Sequence, residues 1–274
     1  MSHLFPFPDN RITERSGSNA MSKTVIHPSR AFILAAGHGK RLRPYTEQCA
    51  KPMVEIAGRS LIWRILDKLV ADYVNEVVVN LHYKADLLRE HLEDYCLNQP
   101  GGQSLHMHFS HEETLLDTGG GVRKMLPVFG EEPFYVIAGD AFWTDPAEET
   151  ALARLARLWD PERMDILTLL QPLSRMVLTQ GAGDYDLLPD GRVRRSREKS
   201  GAYMWTNIRI NTPEIYGGSP EGAFSFLELM DRAEAQGRFY AIEHEGDWHH
   251  ISRPEDLENV RREFETPTAK KKPA

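Results

Sequence analysis

Residues 31–52 read AFILAAGHGKRLRPYTEQCAKP, and the order of chemical types in this stretch decides the fold class. The apolar run Phe32 to Ala36, bounded by basic residues and glycine, has the composition of a buried strand in a parallel sheet. It breaks into Gly37, His38, Gly39, Lys40 and Arg41. Glycine lets the backbone come close to a ligand and expose its N–H groups, so a strand ending in Gly-x-Gly is a place to hold phosphate oxygens. Arg41 and Lys51 add fixed positive charge on either side, and Arg43 is a third cation whose place before Pro44 suits extended backbone. The commonest glycine-rich phosphate loops do not fit. A P-loop needs four residues between its glycines and then Gly-Lys-Ser/Thr, and the dinucleotide fingerprint needs a third glycine opening a helix, where Arg43 and Pro44 stand.

Downstream, Leu61, Ile62, Ile65, Leu66 and Leu69 recur at helical spacing, which predicts an amphipathic helix over 60–71 capped by Ser60. Residues 76–80 (EVVVN) predict a second buried strand, with Asn80 at its carboxyl end, where open parallel sheets receive ligands. A helix over 85–95, a strand over 106–110, a glycine loop over 114–121 (TLLDTGGG) and a helix over 122–126 follow. Residues 134–138 (FYVIA) predict a third buried strand, ending in Gly139-Asp140. This alternation predicts one α/β domain, a doubly wound, mostly parallel mixed sheet flanked by helices. Beyond it we expect a helix over 150–159, a strand over 166–170 and a hairpin over 185–193 turning at Pro189-Asp190-Gly191. A strand over 202–210, a helix over 224–236 and a strand over 239–242 lead to Trp248. A helix over 254–264, with Glu255 and Asp256 in its first turn, closes the domain.

Residues 1–30 are polar, proline-bearing and aperiodic, without the apolar core of a secretory signal, and read as a disordered lead. Within them Ser18-Asn19-Ala20-Met21 resembles an expression-tag scar, with Met21 as the natural start. The domain is expected over 31–265 and a disordered basic tail over 266–274.

At 274 residues the chain can bury a full core. Its formal net charge of −7 argues against a general nucleic-acid or anionic-membrane surface, so any cationic site must be local. Cys49 and Cys96 offer neither a disulfide framework nor metal-ligand spacing, which suits a reducing cytoplasm, and Cys49 reads as a small partly buried side chain. No apolar run approaches the ~20 residues needed to cross a bilayer, so no membrane partner is expected.

Read together with Lys51-Pro52, the opening stretch resembles the signature Ala-Ala-Gly-x-Gly-x-Arg…Pro…Lys-Pro of the sugar-1-phosphate nucleotidyltransferases, and the resemblance runs from about Ala31 to Phe264. It implies their Rossmann-like nucleotidyltransferase fold. In that family the first loop wraps the nucleoside triphosphate, which implies nucleotide contacts for Ala35, Ala36, Gly37 and Gly39. The family's loop arginine contacts the departing pyrophosphate, a role for Arg41. Its Lys-Pro lysine steadies the α-phosphate and the incoming sugar phosphate, a role for Lys51, although the usual Pro-Lys-Pro is here Ala50-Lys51-Pro52. Asp117-Thr118-Gly119-Gly120-Gly121 resembles the family's second loop, near base and ribose, and implies nucleotide contacts for Thr118, Gly119 and Gly120, with Asn80 beside them.

Asp140 matches the family's Gly-Asp aspartate, which binds Mg²⁺. A carboxylate just past a buried strand is well placed to hold a hard cation that keeps waters and takes phosphate oxygens. Most relatives carry a second aspartate in a late Trp-x-Asp element, whereas Trp248-His249-His250 puts His250 there. Imidazole is a poor Mg²⁺ ligand. Three arrangements stay open: His250 binds metal or phosphate directly, it acts through water, or the metal rests on Asp140 and the substrates while His250 lines the site. The third is preferred. Glu198-Lys199 resembles the family's Glu-Lys element for sugar hydroxyls and sugar phosphate. Thr206 and Asn207 fall where relatives contact the sugar, and Asp184 falls near another family Gly-Asp.

The resemblance implies an Mg²⁺-dependent enzyme with a nucleoside triphosphate and a sugar 1-phosphate as partners. The acceptor phosphate oxygen attacks the α-phosphorus in line and pyrophosphate leaves, so catalysis is charge neutralisation and alignment. A cytoplasmic monomer or small homo-oligomer is expected. The length and the lack of a hexapeptide-repeat domain look most similar to the N-acetylmuramate-1-phosphate uridylyltransferases of peptidoglycan recycling. Mannose-1-phosphate and heptose-phosphate guanylyltransferases, a cytidylyltransferase and a catalytically impaired nucleotide-sugar-binding relative stand as alternatives.

Overall fold

The structure is a computed structural model that describes residues 27–265. The expected lead, up to residue 26, and the expected tail over 266–274 lie outside the described residues. In chain order, β1 (Arg30–Leu34) is followed by a short ribbon of β2 (Glu55–Ile56) and β3 (Arg59–Ser60), then α1 (Leu61–Ala71), β4 (Glu76–Leu81) and α2 (Ala85–Asn98). Next come β5 (His106–His111), α3 (Asp117–Lys124), the one-turn α4 (Leu126–Phe129) and β6 (Phe134–Ala138). The second half holds β7 (Phe142–Trp143), α5 (Ala151–Leu158), β8 (Ile166–Pro172), β9 (Tyr185–Leu187), β10 (Val193–Arg195) and β11 (Tyr203–Asn211). It closes with α6 (Leu227–Ala235), β12 (Phe239–Glu243), β13 (Trp248–His249) and α7 (Pro254–Glu265).

Among the described residues nine strands form one mixed sheet. Strands β5, β4, β1 and β6 run parallel in that spatial order. Strand β11 is antiparallel to β6 and to β8, β12 is parallel to β8, and the β9–β10 hairpin joins through the Tyr203↔Tyr185 pair. The parallel half is apolar on both faces because helices cover both. Ile33 packs in one core with Ile62, Ile65 and Leu66 of α1, whereas Phe32 packs in another with Val122 of α3 and Phe226 beside α6. Each such side chain, fully removed from water, contributes roughly 1.5–3 kcal/mol. Ser60 and Thr150 cap α1 and α5, accepting from the Trp63 and Ala153 N–H groups at 3.3 and 3.0 Å.

The doubly wound α/β architecture is the expected one, and three local expectations are corrected. Strand β1 stops at Leu34 rather than Ala36, because the Ala35 N–H turns to the Asn80 side-chain oxygen at 2.6 Å. The stretch TLLDTGGG is not a loop throughout, since residues 117–121 already belong to α3. The expected helix over 224–236 starts only at Leu227. Phe224 is held against α3 by three backbone bonds, its N–H donating to Leu116 O and its carbonyl accepting from Gly119 and Gly120. Because β1, β4 and β6 are parallel, the segments after them emerge at one edge of the sheet, and that shared exit builds the site.

Candidate active site

At this edge a cavity of about 280 Å³ is lined by Leu34, Ala35, Gly37, Gly39, Lys40, Arg41, Lys51, Pro52, Asp140 and Ser252. Three cations face one carboxylate there, in a chain of net charge −7. The two glycines have different reasons. Gly39 lies at φ +61°, and a Cβ on it would stand 3.0 Å from Thr46 Cγ2 and 3.1 Å from Lys51 Cβ. The fold itself therefore requires glycine at that point. Gly37 has no such constraint, because a Cβ on it would meet no protein atom within 4 Å and would project into open space.

Lys51 opens a short 3₁₀ turn (Lys51–Met53) and donates from Nζ to the Asp140 carboxylate. Burial alone would raise the Asp140 pKa, but the charge and hydrogen bond of Lys51, helped by His250, hold the carboxyl below the usual carboxylate range. The Lys51 side chain is 12% exposed and that of Asp140 37%, so the ammonium is nearly dry while a carboxylate oxygen still reaches the opening. His250 stacks on Trp248 with ring centroids 5.8 Å apart, and its backbone N–H donates to Thr179 Oγ1 at 3.0 Å. Burial draws its pKa down, opposed by Asp140, and His250 is not among the residues that line the cavity.

The chemistry of this donor set fits a hard cation in one way only. Among the described residues no group of three or more His, Cys, Asp or Glu is arranged to hold a metal by itself. One ionised, half-exposed carboxylate leaves most coordination positions to water and phosphate oxygens, which is how Mg²⁺ is usually held beside a nucleotide.

The structure gathers Ala35, Gly37, Gly39, Arg41, Lys51 and Asp140 around one cavity. Ala36 is buried and is not part of its lining. Asn80 is 3% exposed and is a tie rather than a wall: Oδ1 accepts from Ala35 N–H, and Nδ2 donates to Glu112 Oε1 at 2.8 Å. Glu112 Oε2 in turn accepts from Leu116 N–H at 2.9 Å, so one buried chain of bonds fixes the first glycine loop to the entry of α3. The N–H groups of Gly119 and Gly120 are used by Phe224 O. Their absent Cβ atoms would lie 2.3 Å from the Phe224 ring and 2.1 Å from Gly222 O. These glycines allow a close packing of chain on chain, and Thr118 Oγ1 extends it by accepting from Phe226 N–H at 3.0 Å.

The acceptor candidates cluster apart from this cavity. Lys199 pairs with Asp184, whose other oxygen accepts from Trp205 N–H at 3.0 Å, while Glu198 is exposed. Thr206 is fully buried, donating to Leu169 O at 2.7 Å and accepting from Ile208 N–H at 3.2 Å, which leaves its hydroxyl no donor for a ligand. Asn207 follows at φ +56°. Sequence reasoning missed Lys40, Pro52 and Ser252 in the cavity wall. Ser252 is the informative one, because its Oγ is buried without a partner, and its only signal was a position two residues after His250.

The nucleotidyl transferase family profile matches residues 30–168. The chain is 37% identical over 230 residues to the N-acetylmuramate alpha-1-phosphate uridylyltransferase of Caulobacter vibrioides, covering 83% of this chain and 93% of that one. It is 31% identical over 222 residues to the enzyme of the same name from Neisseria meningitidis, covering 80% and 91%. Among solved structures it is similar in fold to a UDP-glucose pyrophosphorylase complexed with UDP-glucose (TM-score 0.70, 14% identity, 88% of this chain and 100% of that one). It is likewise similar to HddC from Yersinia pseudotuberculosis (TM-score 0.67, 24% identity, 86% and 99%).

Proposed function

Since the chain belongs to the nucleotidyl transferase family, in its sugar-1-phosphate branch, we propose that it joins UTP to N-acetylmuramate 1-phosphate, releasing pyrophosphate and a uridine-diphosphate sugar. The observation that carries this reading is the cationic, glycine-lined cavity at the shared exit of β1 and β6 in an acidic chain. A triphosphate brings several negative charges to one place. Three cations with open backbone beside them are the matching surface. The named relatives at 37% and 31% identity support uridylyl over guanylyl transfer and N-acetylmuramate as the sugar. Such a product would serve cell-wall recycling in the cytoplasm. Among the described residues no helix is long and apolar enough to cross a membrane.

In this reading Gly37 and the neighbouring backbone receive the triphosphate, and Arg41 and Lys40 draw charge from the β- and γ-phosphates. Lys51 lies between Asp140 and the α-phosphate. Its ammonium has three donors, so it can keep Asp140 ionised and still donate to a phosphate oxygen. Ser252 Oγ, without a protein partner, gains one when a phosphate oxygen enters. Asp140 would hold Mg²⁺ with substrate oxygens and water. The ion's contribution there is neutralisation and alignment of phosphate charge. The acceptor phosphate, a nucleophile already ionised at neutral pH, then needs only orientation against the α-phosphorus.

The deciding experiment is a panel: UTP, GTP, CTP and ATP, each with N-acetylmuramate 1-phosphate, mannose 1-phosphate and a heptose phosphate, with pyrophosphate release as readout. We expect turnover with UTP and N-acetylmuramate 1-phosphate to exceed every other pair. Turnover confined to GTP would move the assignment to guanylyl transfer, and nucleotide binding without pyrophosphate from any pair would leave a binding protein.

A further inference from the structure

Arg209 is a buried cation with no carboxylate beside it. It sits on β11 opposite Val136 of β6 and is 0% exposed, yet among the described residues it makes no ion pair. Its guanidinium lies 3.7 Å from the centroid of the Phe226 ring, Nε donates to Asn211 Oδ1 at 3.2 Å, and Nη1 donates to Asn207 Oδ1. Tyr216 lies beside it, and neither Nη2 nor the Tyr216 hydroxyl has another partner among the described residues. Burial lowers the Arg209 pKa to about 10, which still leaves it charged at neutral pH. A desolvated charge held without a counter-ion is costly, so the position calls for a compensating role.

The local backbone supplies one. Between the pairs Trp205↔Leu170 and Arg209↔Thr168, β11 advances four residues while β8 advances two. The surplus forms a bulge, and Asn207 occupies its left-handed position at φ +56°. Thr206 replaces the missing ladder bonds with its hydroxyl. Asn207 lies one residue beyond the Ile208↔Ile137 pair, at the end of β6 from which Gly139 and Asp140 emerge. On the other side the bulge adjoins Trp205, whose N–H is bound by the same Asp184 that pairs with Lys199. The bulge thus stands between the Asp140 edge and the Asp184–Lys199 cluster.

We infer that Arg209 is a positioning residue for the acceptor, acting through Asn207; this rests on the reading of Asn207 as a contact of the sugar phosphate. A guanidinium carries donors only. The bond from Nη1 therefore forces the Asn207 amide to present its oxygen inward and its NH₂ outward, and among the described residues nothing accepts from that NH₂. An outward NH₂ suits hydroxyl or phosphate oxygens, and the unscreened cation behind it polarises the amide and strengthens it as a donor. Without Arg209 the amide is free to turn its oxygen toward an anionic acceptor.

The test is calorimetric affinity for N-acetylmuramate 1-phosphate and, separately, for UTP, in Arg209→Met, Asn207→Ala and the double variant, with melting temperatures alongside. Arg209→Met keeps the packing on Phe226 and should weaken acceptor affinity about tenfold or more, roughly the value of one oriented hydrogen bond to a charged group. UTP affinity should change less than about twofold. The double variant should bind acceptor no worse than Asn207→Ala alone, because both remove one interaction. Additive losses, or equal losses for both ligands, would overturn the proposal. If Arg209→Met does not fold, Asn207→Asp decides. A carboxylate beside Arg209 should raise the melting temperature while weakening acceptor binding, and unchanged acceptor affinity refutes the role. Affinity needs no turnover, so a wild type that binds both ligands without reacting counts against the proposed reaction and leaves the Arg209 result readable.

Discussion

Gly37→Ala separates a glycine kept for a ligand from one kept for the fold. Its backbone is not in the left-handed region, and the added methyl would meet no protein atom within 4 Å. Alanine also narrows the unfolded ensemble, so stability should hold or rise by roughly 0.4–1 kcal/mol. A bound triphosphate would meet that methyl directly. Losing one charge-assisted backbone hydrogen bond costs roughly 1.5–3 kcal/mol, about a 10- to 100-fold fall in nucleotide affinity. Gly39→Ala is the contrast. At φ +61°, with Thr46 and Lys51 at 3.0 and 3.1 Å, it should lose about 1–2 kcal/mol of stability for the left-handed conformation alone. The assay pairs thermal unfolding with titration of UTP in the absence of acceptor. Wild-type UTP binding by Gly37→Ala, or a stability loss as large as that of Gly39→Ala, would refute a ligand-facing role for Gly37.

Lys51→Ala should cut turnover roughly 10²–10³-fold, the value of one fixed donor to developing charge, and free the Asp140 pKa to rise. The acid limb of the pH–rate profile then moves to higher pH, whereas a profile that falls uniformly without shifting would show the two groups to be uncoupled. Asp140→Asn should abolish metal-dependent pyrophosphate release while leaving the melting temperature within a few degrees. Gly121→Ala would place a Cβ 2.8 Å from Glu112 Oε1 and 3.0 Å from Asn80 Nδ2. It should therefore destabilise the protein by about 1–3 kcal/mol, visible as a lower denaturant midpoint, because the Ala35–Asn80–Glu112 chain has to shift.

Acid stability should show two opposed groups. His244 is held neutral by burial, with its pKa lowered to about 4, so its contribution is complete above the unfolded value of 6.5 and is lost as pH falls toward 4. Asp72, buried beside the Thr150 hydroxyl, is raised to about 6, so its contribution is complete below 3.8 and is lost as pH rises to 6. Asp72→Asn should therefore steepen the fall in melting temperature between pH 6 and pH 4. An unchanged slope would remove Asp72 from the balance.

The sequence by itself determined the elements whose signal is local. The runs Phe32–Leu34, EVVVN and FYVIA could be read as buried strands because helices had to cover both faces, and the amphipathic spacing of α1 needed no tertiary information. The cationic glycine stretch after β1 was legible for the same reason, since strand, glycines and charges are contiguous. What the tertiary structure decided was how polar atoms at a distance in sequence are spent. Asn80 looks free at a strand end, but Ala35 and Glu112 claim its amide. The triple glycine looks like a ligand loop, yet Phe224, some hundred residues later, fills the space and takes the N–H groups. Thr206 and Asn207, adjacent in sequence, share a bulge in which the Thr206 hydroxyl is buried on Leu169 O and the Asn207 amide oxygen is taken by Arg209. Periodicity reports which face of an element is apolar; it carries no record of which donor meets which acceptor across the fold, and at this site those pairings settle which groups a substrate can still reach.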